Sequence, residues 1–179
     1  MRLAILTLVL LLAPPAAGQD YEAAPAVALH RDGDGSTARA SMDVRAAPEA
    51  VWDLISDCRH ARRLMEELLS CRVLEQGEGW QVREHRVRGW LFRPVLRNVA
   101  RVELHPYSRL SFRRVAGDWT RSDGEWVLTP IDDGRGTHVE YRVAAELNTL
   151  FPASITGSEL RKRVRATLNA LRREAERVG

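Results

Sequence analysis

The chain has 179 residues, a formal net charge of +3, and 45% hydrophobic against 28% charged residues. That composition fits one globular domain and is too evenly charged to mark a nucleic-acid partner. No GxSxG elbow, phosphate-cradling glycine loop, HxxxH pair or CxxC pair occurs, so no nucleophile-elbow, nucleotide, metal or cofactor motif is present.

Met1-Arg2 reads as a basic n-region, Leu3 to Ala13 as an apolar h-region, and Ala16-Ala17-Gly18 as a small-residue cleavage site. Together they predict a signal peptide over residues 1–18 and an exported, periplasmic or secreted, single domain over 19–179. The apolar run is shorter than the roughly 20 residues a membrane helix needs. The polar cluster Arg31 to Ser36 is a hairpin turn. Read as a calcium loop it has Thr37 where glycine is required and no glutamate at the twelfth position. Ala38, Ala40, Met42 and Val44 then alternate with polar residues, as in a half-buried strand.

Pro48, Val51, Trp52, Leu54 and Ile55 predict a short amphipathic helix ending near Asp57. A second short helical piece carries Ala61, Leu64, Met65 and Leu68. Cys58 and Cys71 flank it. In an exported chain they suit a disulfide, but one straight helix from 59 to 70 would hold their Cα atoms about 20 Å apart, far beyond bridging distance. Either the segment folds back or the two thiols stay free. Strands are then predicted at Ser70–Glu75, Trp80–Trp90, Val95–Leu104, Arg109–Val115, Gly124–Ile131 and Thr137–Leu147, with breaks at glycines and prolines. Short connections without helices imply an antiparallel sheet.

The last helix, Thr156 to Val178, has one apolar stripe: Leu160, Val164, Leu168, Leu171, Ala175 and Val178. Thr156 and Glu159 form a capping-box pattern after Pro152. Arg161, Lys162, Arg165, Arg172, Arg173 and Glu176 occupy the opposite face. The predicted fold is α+β, a curved antiparallel sheet wrapped around this helix, with two short helices after the first strand.

Three stretches resemble a known family. "APEAVWDLISD" (Ala47–Asp57), "GDWTRSDGEWVLTPIDDGRGTHVEY" (Gly117–Tyr141) and "LFPASITGSELRKRVRATLNALRREAE" (Leu150–Glu176) resemble, in this order, motifs of START-like (SRPBCC) helix-grip proteins. The closest branch looks like the polyketide cyclase/dehydrase and coenzyme Q-binding group. The resemblance implies an apolar ligand held between sheet and helix, with catalysis in only some members. This chain departs from the pattern at Leu64-Met65-Glu66, where related sequences often have a Phe-Met-Pro break.

In "WQVREHRVRGW" (Trp80–Trp90) alternation fails, with charged residues on both parities. Such a strand lies at an edge, is bulged, or lines a wet cavity. In the last case Arg83 or His85 is a polar anchor for the ligand, and His85 is the one weak catalytic candidate. Trp90, Leu91 and Phe92 sit in a hairpin connection, read either as folded onto the core or as a lip that also touches a membrane surface transiently. Trp126 and Tyr141 on neighbouring strands, with Leu160, Val164 and Leu168 on the helix, complete the expected wall. Periodicity does not say which strand parity faces inward.

The expected function is an exported carrier for a lipid or isoprenoid-like small molecule. A cyclase or aromatase-like enzyme and a cavity-free protein-interaction module are the alternatives. No nucleic-acid partner is expected, and the pattern carries no oligomeric state.

Overall fold

Ala26–Asp32 (β1) and Gly35–Val44 (β2) pair as an antiparallel hairpin, so two strands precede the helices. The computed structural model describes residues 20–32, 35–90, 93–147 and 157–178. The signal-peptide reading, the tip of this hairpin, Leu91-Phe92, Pro152 and the Thr156 cap lie outside them.

Helix α1 (Pro48–Ser56) starts at a proline, with no side-chain cap at Ala47; the fixed φ of Pro48 sets its entry. It buries Val51, Trp52, Leu54 and Ile55. Asp57 then turns extended (φ −106°, ψ 125°) and its carboxylate accepts Arg59 N–H at 2.7 Å, capping α2 (Cys58–Leu64). The Arg59 guanidinium bound to the same carboxylate holds it below the ordinary aspartate range.

The family's proline is not needed to break α2. Met65 leaves the helical region (φ −124°, ψ 105°) while its N–H bonds Ala61 O. Leu68 therefore opens strand β3 (Leu68–Gly77) instead of closing the helix, which corrects its assignment. The chain folds back here, and Cys58 and Cys71 meet in a disulfide with Cα atoms 5.2 Å apart.

The meander continues through β4 (Trp80–Trp90), β5 (Arg93–His105), β6 (Arg109–Gly117), β7 (Trp119–Ile131) and β8 (Gly136–Leu147). The described residues form one antiparallel eight-stranded sheet, ordered β1-β2-β8-β7-β6-β5-β4-β3. β8 returns between β7 and β2 and joins the hairpin to the meander. Gly117 (φ +111°) makes the β6–β7 turn against the backbone of Arg97, which a Cβ would meet at 2.3 Å.

Helix α3 (Gly157–Val178) lies across β1 and β2 and against α1 and α2. Leu160, Val164, Leu168, Leu171 and Ala175 are buried. Val178 does not belong to that stripe: it is 58% exposed at the helix end. Arg163 pairs with Glu67 at 3.3 Å, Arg63 with Glu174 at 3.5 Å, and Glu176 accepts the Arg45 N–H at 3.0 Å. Exposed pairs of this kind contribute about 0–1 kcal/mol each, so the apolar stripe decides where the helix lies. Among the described residues no helix is long and apolar enough to cross a membrane.

Candidate functional site

Residues directly opposed across an antiparallel pair share a face, so the buried residues of β2 assign an inward parity to the whole sheet. Ala40 opposes Tyr141, Tyr141 opposes Trp126, and Trp126 opposes Leu110. Phe112 opposes both Gly124 and Val102, and Val102 opposes Gln81. Ala100 opposes Arg83 and Arg114, Asn98 opposes His85, and His85 opposes Cys71. Gln81, Arg83, His85 and Val87 therefore line the concave side of β4, and Glu84 points away. β4 is not an edge strand; β3 covers that side.

The mixed polarity of β4 thus has two separate causes. Outside, the Glu84 carboxylate is bound by Arg97, with Arg86 3.4 Å away. The hydrogen bond from Arg97 holds it below the ordinary glutamate range. Inside, Arg83 is 6% exposed and its guanidinium closes the end of α1. Nε donates to Gln81 Oε1 at 2.8 Å, Nη1 to Ile55 O at 3.4 Å, and Nη2 to Ser56 O. These carbonyls belong to the last turn of α1, where a cation is favoured. Burial lowers the Arg83 guanidinium to about 10.

His85 sits one step further along. Burial, followed by the charge of Arg83, lowers its imidazole to about 4, so it is neutral in ordinary buffer. Its Nε2 is buried without a hydrogen-bond partner among the described residues, as are Asn98 Oδ1 and Arg114 Nε. Asn98 Nδ2 does donate, to Ser122 Oγ at 2.9 Å. That bond reaches from β5 to β7, beyond Arg113, where the β6–β7 ladder stops. Cys71, His85, Asn98 and Ser122 thus form one polar row across the concave face.

Further along the same face, past Arg83, Ala100 and Arg114, the wall is apolar. Trp126 and Tyr141 stack with ring centroids 3.8 Å apart and planes at 17°. Burial raises the Tyr141 phenol well above its ordinary value. Gly124 leaves room for Phe112: a Cβ there would stand 2.7 Å from Phe112 Cζ and 2.1 Å from Arg142 O. Leu160, Val164 and Leu168 join the packed core with β2, α1, Trp126 and Leu128. At the other end of β4 and β5, a cleft of about 500 Å³ opens between Trp52, Ser56, Glu78, Gly79, Gln81, Leu104 and Pro106. That volume lies within the usual range for small-molecule sites.

The structure thus brings Arg83, His85, Trp126 and Tyr141 to one face. Phe92 and the Trp90 side chain lie outside the described residues. Sequence reasoning missed Asn98, Arg114 and Ser122, and also the cleft residues Trp52, Gln81 and Leu104. Strand register alone brings Asn98, Arg114 and Ser122 to this face, whereas Trp52 was already expected on the buried side of its helix.

A concave antiparallel sheet gripping a C-terminal helix is a fold that this chain shares with several solved structures. The STAR-related lipid transfer protein from Xanthomonas axonopodis is 17% identical, with a TM-score of 0.74 over 89% of this chain and 97% of that one. The Zhui aromatase/cyclase from Streptomyces sp. R1128 is 21% identical (TM-score 0.62, 80% and 94%). A START superfamily protein from Mycobacterium smegmatis is 13% identical (0.66, 80% and 99%). At these identities the likeness is one of fold. The profile described as polyketide cyclase / dehydrase and lipid transport matches residues 44–172, and the chain belongs to that family. No curated protein sequence matches it.

Proposed function

We propose that this protein binds and carries a hydrophobic small molecule, lipid-like or isoprenoid-like, with an oxygen-bearing polar end. The observation that carries the reading is the concave face itself. Buried polar groups are nearly always hydrogen-bonded, and leaving one unpaired costs about 1–3 kcal/mol. Here His85 Nε2, Asn98 Oδ1 and Arg114 Nε have no hydrogen-bond partner among the described residues, on the same face as the Trp126–Tyr141 stack. A ligand with its hydroxyl or carbonyl end on this row and its apolar body along the apolar part of the same face satisfies both halves. The names of a lipid transfer protein and of an aromatase/cyclase among the fold relatives are compatible with such a ligand.

Apolar burial drives loading. The N-terminal n-region, h-region and cleavage site support a place outside the cytoplasm, where a carrier exchanges its ligand with a membrane surface. The test is displacement of a fluorescent apolar probe from folded protein. Saturable binding at one site, weakened by Asn98→Leu with the fold retained, supports the reading; absence of saturable binding overturns it.

One observation favours a second reading. His85 faces the concave side with its Nε2 unpaired among the described residues, which places an imidazole where a cyclase-like reaction would need a proton acceptor, although burial makes it a weak base. In that case His85→Ala abolishes turnover of a poly-β-keto substrate while probe binding persists.

A further inference from the structure

Strand pairing sets His85 directly opposite Cys71, and the disulfide brings Cys58 from the first turn of α2 to the same place. The two Sγ atoms and an imidazole nitrogen of His85 all lie within 4.8 Å of one another. The three residues are half-buried, and they come from three elements that the core already holds together. Zinc binds thiolate at about 2.3 Å and imidazole at about 2.0–2.1 Å. Ligand atoms around such an ion stand somewhat under 4 Å apart. Once the S–S bond is cut, the two sulfurs need only separate to ordinary contact distance to satisfy that geometry.

We infer that reduction of the Cys58–Cys71 disulfide turns this corner into a Cys2His site for a zinc ion. The bridge and the metal are then alternative clamps on one junction, holding α2 against the sheet. A dithiol reductant supplies two electrons and two protons: the S–S bond breaks, two thiols form, and the donor leaves as its own disulfide. Zinc displaces the two thiol protons and takes the lone pair of the imidazole, which burial keeps neutral. Three protein ligands leave the fourth position to water, as in open zinc sites. The inference shares only His85 with the carrier reading, and metal binding by the reduced chain is read without any ligand present.

The sequence could not announce this site. Cys58 and Cys71 are 13 residues apart, and His85 reaches them only through the β3–β4 register. The same row continues to Asn98, so a metal held here would touch one end of the proposed ligand site. That gives the redox state of the bridge a route to ligand affinity.

The test titrates the full chain with Co²⁺ as a spectroscopic stand-in, before and after reduction with a phosphine, and then displaces it with Zn²⁺. The expected result is one Co²⁺ per reduced chain, with a thiolate-to-cobalt charge-transfer band, and none bound by the oxidised chain. His85→Ala keeps its disulfide and its circular dichroism spectrum when oxidised. When reduced, it binds Co²⁺ more weakly by a larger factor than the roughly 10–100-fold seen when an outer-shell partner is lost. No charge-transfer band in the reduced wild type overturns the inference. So does unfolding on reduction that zinc does not reverse, or equal binding by His85→Ala.

Discussion

Replacing His85 with glutamine removes an imidazole that the folded chain keeps neutral, and the consequence is a change in how stability depends on pH. In the folded protein burial, followed by the Arg83 charge, lowers His85 from 6.5 to about 4. The unfolded chain takes up its proton near 6.5, and the folded chain holds out until about 4. Between those values the unfolded state binds more protons, so stability falls as the solution is acidified through this window. Fully developed below the lower value, the loss is about 3 kcal/mol. Above 6.5 both states are neutral and His85 contributes no pH dependence. Glutamine fills nearly the same space, donates and accepts hydrogen bonds, and does not titrate. Urea unfolding of wild type and His85→Gln across this window is the assay. The wild type should lose stability that the variant keeps, the gap widening as pH falls. Parallel curves from 6.5 to 4 refute the claim that this imidazole is buried and uncharged.

Arg83→Met keeps the apolar stem but removes donors to Ile55 O and Ser56 O. It should cost about 1.5–3 kcal/mol in urea unfolding, and Arg83→Lys should recover little of it because a point charge does not span both carbonyls. Leu168, fully buried between α3 and the sheet, should cost about 2–5 kcal/mol when cut to alanine, read from the same unfolding curves. Reducing the Cys58–Cys71 bridge without metal should lower stability by about 3 kcal/mol. Thiol titration of the denatured, unreduced chain should find no free sulfhydryl, and finding two per chain removes the bridge.

Much of the architecture was legible because each element obeys a local period. The stripe on α3 follows helical spacing, and the residues that broke the prediction did so at ends: Val178 runs past the sheet it was expected to face. Leu68 fits a helical spacing after Leu64, yet the turn at Met65 sends it into β3. The site was harder. The polar run in β4 looked irregular because two requirements overlap in one strand, an ion pair on the convex side and a buried cation closing α1 on the concave side. Alternation alone does not separate them. Asn98, Ser122 and Arg114 carry no local signal at all, since they become neighbours of His85 only through a register involving four strands and a bulge near Ala100. The Cys58–Cys71–His85 cluster is hidden for the same reason.

The central claim is that the concave face holds a hydrophobic molecule with a polar end. Native mass spectrometry of gently purified protein, followed by solvent extraction, tests it most directly. The account predicts a stoichiometric adduct, released by organic solvent, that proves to be an apolar molecule bearing a hydroxyl, carbonyl or comparable oxygen group. A clean apo mass that persists after incubation with membrane extract contradicts it.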